Sequence, residues 1–376
     1  MGRRRRRSKL PVGRLLVLLI AVGGVVRLIT LPDPDRPAGP SGAPLAVVPD
    51  ATDPPTWAGP AAVTIPGTLP DGTDYLPRLY LNPETSVGIA PSPDGDSLRI
   101  VIRGANGRVT ELRRLGSADQ PEFDGFSVTG DTLVWAESVS RSDEPVTTTI
   151  WRANWRTGSR PAVVTGNTGA ANFFGGQYDI LPRPARVYWA ALAPGNRPVT
   201  EIRSVPVGGG QVTIQRLDGE FALSAWPWAV SASPGQGTPV RLVNLTTNQR
   251  IEVPTQPGET AACDPRWCRM SVVNQDTLVR MDMVRVDRSD RRRISGSEAT
   301  PTIPDVTVLD RFVPLATDRG NGQAGVGLSL YDVTTGRTEL VALDAANVGA
   351  RNGILWWSTG SGADLRWNAV DLRALT

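Results

Sequence analysis

The chain alternates short apolar runs with turn-forming residues over most of its length. Beyond Asp74, no ten-residue stretch carries apolar residues at the i, i+3, i+4 and i+7 spacing of an amphipathic helix. The apolar runs are short, rich in β-branched and aromatic residues, and bounded by Gly, Asn, Asp and Pro. With 39 Gly and 33 Pro among 376 residues, turns are expected to be frequent and long helices few. The pattern predicts an all-β protein.

One unit recurs along this pattern: an apolar run, a small polar turn and a second apolar run. The copies are about 46 residues apart on average, which is the length of a four-stranded propeller blade. The second turn residues of the six copies are Gly107, Gly158, Gly209, Asn248, Asp290 and Gly336. Upstream of most turns lies a further run, predicted as the second strand of a blade, whose aromatic residues would fill the wedge between blades. These runs begin at Thr132, Arg186, Trp228, Met270, Phe312 and Gly353.

The last copy is incomplete, because the sequence given ends at Thr376 without room for a fourth strand. A blade left open there would expose a strand edge, which favours aggregation. The five residues from Ala61 to Ile65 have strand character although they follow a Pro-rich segment, and they are predicted to supply the missing outer strand. We therefore expect a single β-propeller closed by an N-terminal strand, with seven four-stranded blades, or six, the first blade beginning near Tyr75.

Three features of residues 75–376 point to a known kind of propeller: the aromatic second strands, the outer strand that ends in Tyr331–Gly336, and a single Ser-Pro-Asp-Gly sequence at residues 92–95. With these features the region resembles the TolB-like and WD40-like β-propellers of bacterial envelope proteins. The resemblance implies a non-catalytic platform that binds another envelope protein or a cell-envelope polymer, and therefore a chain that is not an enzyme. A secreted carbohydrate-active enzyme and a purely structural envelope subunit are the alternatives.

The N-terminal residues are basic and then apolar. The twelve uncharged residues from Leu15 to Val26 would form a helix of about 18 Å, shorter than the hydrocarbon core of about 30 Å, whereas Leu10 to Leu31 would reach about 33 Å. Residues 1–31 are therefore expected to be a signal anchor, with a cleaved signal peptide as the alternative. A Pro-rich linker over residues 32–60 and a propeller domain over residues 61–376 would follow. The expected location is the bacterial cell membrane with the propeller outside the cytoplasm, or secretion if the leader is cleaved.

Composition narrows the chemistry further. The net charge of +3 hides eight cations among the first 27 residues, so the remainder has 37 acidic residues and a net charge of about −5. A mildly acidic domain is not expected to bind nucleic acid, because phosphate contacts need a basic face. The chain has no His, which excludes Ser-His-Asp and Cys-His nucleophilic pairs and histidine metal centres. We expect no cofactor and no metal.

Cys263 and Cys268 are the chain's only cysteines. Without His or further Cys they cannot complete a four-ligand zinc site. A disulfide that clamps a tight turn is expected, since an oxidising compartment permits it. A catalytic dithiol is the alternative, although a Cys-x-x-Cys spacing would be more typical.

Acidic residues recur at or just before the predicted innermost strands. In a propeller these positions crowd toward one mouth of the central channel, where five carboxylates could form a negative ring that attracts a cation or a basic segment. The alternative is that they cap turns between blades by accepting hydrogen bonds from nearby backbone amides. A glycan-cleaving enzyme would need two or three of them paired about 5 to 9 Å apart. The five candidates are Asp124, Asp179, Glu220, Asp310 and Asp344.

Overall fold

The computed structural model describes most of the chain beyond its first 53 residues. The predicted anchor or signal segment (residues 1–31) and most of the predicted linker lie outside the described residues. Within the described part, no helix has the length and apolarity needed to cross a bilayer. The described ranges are 54–141, 144–232, 234–275, 277–318 and 325–376.

Antiparallel strands dominate these residues and form seven blades, as the sequence pattern predicts. The first strand, β1 (Val63–Pro66), belongs to the last blade. Blades 1 and 2 each have four strands in sequence order, from the innermost to the outermost. They are β2 (Leu76–Asn82), β3 (Thr85–Pro91), β4 (Ser97–Arg103), β5 (Val109–Gly116), β6 (Glu122–Thr129), β7 (Thr132–Val139), β8 (Thr147–Asn154) and β9 (Ala162–Thr165).

Blades 3 to 5 repeat this arrangement with one difference. In blade 3 the innermost strand is interrupted, so that β10 and β11 both pair with β12. The strands of these blades are β10 (Ala170–Ala171), β11 (Ile180–Pro182), β12 (Arg186–Leu192), β13 (Val199–Pro206), β14 (Thr213–Asp218), β15 (Phe221–Leu223), β16 (Trp228–Ser231), β17 (Val240–Asn244), β18 (Arg250–Val253), β19 (Glu259–Cys263), β20 (Trp267–Asn274), β21 (Thr277–Arg285) and β22 (Arg292–Ser295).

Blades 6 and 7 share one long strand. The first part of β26 is the outermost strand of blade 6 and pairs with β25, and its second part is the innermost strand of blade 7 and pairs with β27. The strands are β23 (Ala299–Pro301), β24 (Phe312–Thr317), β25 (Val326–Asp332), β26 (Arg337–Arg351), β27 (Ile354–Thr359) and β28 (Arg366–Asp371). The helical elements of the described residues are the short 3-10 helices Ser117–Asp119, Gly362–Asp364 and Leu372–Leu375.

The buried residues form one hydrophobic cluster at each interface between neighbouring blades, including the interface between blades 7 and 1. A packed interface between the last and first blades means that the ring is closed. Trp135 and Trp189, which lie on predicted second strands, are fully buried in two of these clusters. Their predicted role as wedge residues between blades is confirmed.

The ring closes with the predicted N-terminal strand. In β1, Val63 pairs with Ala369 and Ile65 pairs with Trp367, so β1 becomes the outermost strand of blade 7. The strand covers residues 63–66 rather than 61–65, and the prediction that it completes the last blade is confirmed.

Residues before β1 also lie against the propeller. Leu340 on β26 accepts a hydrogen bond from the Trp57 amide at 2.9 Å and donates one to the carbonyl of Pro55 at 2.8 Å. The indole of Trp57 packs against the cluster between blades 6 and 7. The end of the expected linker is therefore part of the compact unit, because an apolar side chain and free strand-edge groups hold it there.

The six turn residues identified from the sequence lie in the outer hairpins of blades 1 to 6. Every one of them has a positive φ, between 54° and 93°, which favours Gly, Asn and Asp. The choice of residue at these positions therefore follows from the backbone conformation of the turn.

Cys263 and Cys268 form the expected disulfide. They are direct register partners on β19 and β20, so the bond closes the hairpin between the first two strands of blade 5.

Replacing both cysteines with Ala is expected to lower the free energy of unfolding by about 2 kcal/mol, because the short closed loop no longer restricts the unfolded chain. Urea denaturation of the native and doubly substituted chains under non-reducing conditions measures this. Equal midpoints would show that the bond does not stabilise the hairpin.

Candidate functional site

Two cavities lie in the central channel, against the innermost strands. One has a volume of about 460 Å³ and is lined by blades 3, 4, 5 and 6. The other has a volume of about 400 Å³ and is lined by blades 1, 2, 3, 6 and 7. The two share Asp179, Pro304 and Asp305 in their walls. We call these residues and the loops that carry them the channel wall.

The channel wall consists of two loops from opposite sides of the ring. The blade 3 loop (residues 172–179) fills the interruption between β10 and β11, and the blade 6 loop (residues 302–308) follows the three-residue strand β23. They meet where the Gln177 amide donates to the Asp305 carboxylate at 3.1 Å. Gly175 has a φ of +77°, and Pro304 has no amide hydrogen, so the local sequence disfavours a continuous inner strand in either loop.

Two arginines hold the loops through backbone carbonyls. Arg351, at the end of β26, donates to the carbonyl of Gly175 at 2.9 Å and to that of Phe126 at 3.0 Å. Arg269, on β20, is buried and donates to the carbonyl of Asp305 at 2.8 Å. Burial lowers the pKa of both guanidinium groups, that of Arg269 to about 10, so Arg269 stays charged at neutral pH.

Burial shifts the pKa values of the carboxyl groups in the channel wall. Asp179 is buried and accepts hydrogen bonds from the amides of Phe174 and Gly175, both at 2.8 Å. Burial raises the pKa of the Asp179 carboxyl and raises that of Asp305 to about 6. Asp305 therefore changes its charge close to neutral pH.

The Asp124 carboxylate, unlike those of the channel wall, is well exposed and only weakly paired. Its side chain is 43% exposed, and its nearest cation is Arg78, 38% exposed, at 3.9 Å. This pair is loose, and both groups face the 400 Å³ cavity. They are the charged side chains of this cavity that a ligand could engage without breaking a short hydrogen bond.

The five carboxylates predicted for the channel mouth do not form one ring. Asp124 and Asp179 line the same cavity, whereas the other three are not among the described residues that line either one. Glu220 is exposed just before β15, and Asp310 pairs with Arg266 at 3.4 Å in a tight turn. Asp344 lies inside β26, where this strand passes from blade 6 to blade 7, and is exposed. This position lies just before the part of β26 that pairs with β27 from Ala346 onward, so Asp344 precedes the inner strand of blade 7.

Sequence reasoning missed four charged residues of the site: Asp264, Arg269, Asp305 and Arg351. Asp264 directly follows Cys263, and its carboxylate accepts hydrogen bonds from the amides of Arg266 and Trp267 and from the hydroxyl of Thr307. Asp264 and Asp305 follow inner strands, whereas the prediction covers only carboxylates expected before such strands or at their starts. The Pro-rich sequence around Asp305 was the available signal that blade 6 has a loop there.

Within the described ranges, no group of three or more Cys, Asp or Glu side chains is arranged to hold a metal ion.

Replacing Asp305 with Asn is expected to stabilise the protein at pH 7.5. The pKa of this carboxyl is raised in the folded state, so folding costs free energy once the group ionises, and the cost grows as the pH rises from about 4 through about 6. Asn keeps an oxygen that can accept from Gln177. Urea midpoints should be higher for Asp305→Asn at pH 7.5 and equal to those of the native chain near pH 4. A less stable variant at pH 7.5 would mean that the carboxylate is a net stabilising group.

No protein-family model matches this sequence, and no curated protein matches it. Similar solved structures exist. A prolyl endopeptidase structure has a TM-score of 0.52 and 12% identity over 83% of this chain and 48% of its own. The propeller domain of the Trilobed protease of Pyrococcus furiosus has a TM-score of 0.44 and 9% identity, covering 67% and 83%. TolB of Acinetobacter baumannii has a TM-score of 0.38 and 14% identity, covering 69% and 64%.

The four-stranded antiparallel sheets confirm the expected propeller fold, and TolB is among the propeller structures that the chain is similar to. The prediction that the chain is not an enzyme is contradicted, because the prolyl endopeptidase that it matches is an enzyme. The chain spans about half the length of the prolyl endopeptidase that it matches. At these low identities the likeness shows the β-propeller fold alone.

Proposed function

We propose that this chain works outside the cytoplasm as a propeller that binds another envelope protein or a cell-envelope polymer through the channel mouth, tethered to the membrane by residues 1–31. One observation carries the proposal. Charged side chains from several blades converge on two cavities of about 400 and 460 Å³, within the range of about 300 to 1,000 Å³ typical of ligand sites.

The charged residues of the site form two pairs with different surroundings, and this difference supports the proposal. Asp179 and Asp305 accept hydrogen bonds from the backbone of the channel wall, so they fix its shape. Asp124 and Arg78 are loosely paired and exposed, and Arg78 makes one further long hydrogen bond, to the Phe123 carbonyl at 3.2 Å, so both can engage a charged or hydroxyl-rich segment of a partner. We assign the shape of the site to the first pair and its recognition to the second.

The proposed compartment is supported by the disulfide between Cys263 and Cys268, because such bonds persist in oxidising environments outside the cytoplasm. The basic and apolar leader supports the same location.

The proposal is tested by a pull-down. Solubilised envelope components are passed over the immobilised native chain and over two immobilised double variants, and the components that stay bound are compared. The first double variant combines Arg78→Gln with Asp124→Asn, so its channel pair is neutral. It should no longer retain the envelope component that the native chain binds. The matched control is Asp131→Asn with Arg156→Gln, an exposed ion pair between the β6–β7 and β8–β9 turns of blade 2. The control should retain the same species as the native chain. Equal retention by all three chains would contradict binding at the channel mouth.

A catalytic role on envelope polysaccharide is the second candidate. It is favoured by the raised pKa of Asp305, about 6, beside Asp179 in an open cavity, since a general acid needs a carboxyl that is still protonated near its working pH. The native chain would then release soluble sugar from envelope polymer, and Asp305→Asn would lower the rate about 100-fold or more. Absence of release by the native chain would contradict this candidate and leave the binding test unaffected.

A further inference from the structure

A row of polar side chains crosses the face of blade 1 that packs against blade 7. Tyr80 on β2 is the register partner of Ser86 on β3, and Ser86 is the partner of Arg103 on β4. Directly opposed residues in a sheet point to the same face and have Cβ atoms about 5 Å apart. The ring of Tyr80 lies 5.5 Å from that of Trp356 in blade 7. The row is therefore enclosed between the first and the last blade.

Two groups of this row are buried without a partner. Tyr80 is 1% exposed and Arg103 is 7% exposed. Neither the Tyr80 Oη nor the Arg103 Nε has a hydrogen-bond partner within the described part of the chain. Ser86 is satisfied differently, because its Oγ lies 2.8 Å from the Oη of Tyr75. We call Tyr75, Tyr80, Ser86 and Arg103 the seam cluster.

The position of Tyr75 in the cluster depends on Gly88. A Cβ atom at Gly88 would lie 2.5 Å from the Tyr75 ring, so only glycine leaves room for the ring over β3. This close approach brings the Tyr75 hydroxyl to Ser86 and places three hydroxyl groups in one row with a guanidinium.

The seam cluster carries an uncompensated positive charge. A guanidinium stays protonated in proteins, and Arg103 has no carboxylate partner in the described residues. The tyrosines cannot supply the negative charge, because burial raises the pKa of both hydroxyls far above neutral. Charged groups buried to this extent are normally paired, since an unpaired one costs several kcal/mol.

We propose that the seam cluster binds a small monovalent anion of the size of chloride, held between the Oη of Tyr80 and the guanidinium of Arg103. The cluster supplies one cation and a hydroxyl donor and no acceptor of matching charge, which is the complement of an anion. Arg103 keeps 7% of its surface exposed, so the cluster is not fully sealed from solvent. Because the cluster lies against blade 7, the bound anion stabilises the interface at which the ring closes.

Thermal unfolding of the native full chain in sodium chloride and in sodium gluconate at equal ionic strength tests the proposal. Chloride and bromide should raise the midpoint saturably by about 2 °C or more relative to gluconate, since a ligand that binds only the folded state stabilises it. Crystals grown with bromide should show an anomalous peak within hydrogen-bonding distance of the Tyr80 Oη and the Arg103 guanidinium.

The variants Tyr80→Phe and Arg103→Gln separate this site from a general salt effect. Both should lose the difference between chloride and gluconate, and Tyr80→Phe keeps the aromatic ring and is expected to fold even if Arg103→Gln does not. The control Arg156→Gln removes an exposed guanidinium and should keep the full difference. Equal midpoints of the native chain in the two salts, or an undiminished difference in Tyr80→Phe, would overturn the proposal, as would a water molecule without anomalous signal at this position.

Discussion

Replacing Ile65 with Asp is expected to open the ring. Ile65 is buried on the strand that completes blade 7, opposite Trp367. The substitution removes an apolar side chain from the cluster between blades 7 and 1 and buries a charge without a partner. The free energy of unfolding should fall by about 4 kcal/mol or more, as measured by urea denaturation. Light scattering should also show association, because the free edge of β28 becomes available for pairing.

The neighbouring Thr64 provides the matched control, because it lies on the exposed face of the same strand and bonds Asn368. Thr64→Asp introduces the same charge and should cost about 1 kcal/mol through the lost hydrogen bond. If Ile65→Asp and Thr64→Asp behave alike, β1 does not close the ring.

Replacing Arg269 with Ala is expected to release the channel wall. The buried guanidinium donates to the carbonyls of Asp305 at 2.8 Å and Pro304 at 3.3 Å, and its charge lies near Asp264 and Asp305. Without it, two carbonyls and two carboxyls lose their compensating group, so the free energy of unfolding should fall by about 3 kcal/mol. The substitution should increase the rate of amide hydrogen exchange in residues 302–308 more than it does in the strands of blade 6.

Arg266 is the control for this substitution, because it lies three residues away, is 66% exposed and forms only a loose pair with Asp310. Arg266→Ala should change the free energy of unfolding by less than about 0.5 kcal/mol. Equal effects at positions 266 and 269 would mean that Arg269 does not hold the loop.

The repeat pattern was sufficient to predict the architecture. Turn positions such as Gly107 and Asn248 can be recognised in the sequence, because a positive φ restricts the residue types that fit there. The closing strand was predictable for a different reason, since the incomplete last blade requires a partner and β-branched residues occur in Val63–Pro66. Both signals depend on a few neighbouring residues, so they remain detectable although the blades share little sequence.

The site was less predictable because it depends on departures from the repeat. The blade 3 loop and the blade 6 loop replace parts of inner strands, and only the folded ring brings Gln177 and Asp305 together. Likewise, nothing in the sequence shows that one strand, β26, serves two blades. Asp124 lies near the start of β6 and Asp179 directly precedes β11, and both line the 400 Å³ cavity.

Binding at the channel mouth is tested most directly by blocking the mouth. The only two cysteines of the chain are joined in the disulfide, so Asp124→Cys introduces a single thiol beside the 400 Å³ cavity. After labelling with a bulky maleimide, this variant should no longer retain the envelope component that the native chain binds. The labelled Thr157→Cys variant, modified in the exposed outer turn of blade 2, should retain it fully. Full retention by the labelled Asp124→Cys chain would contradict a binding site at the channel mouth.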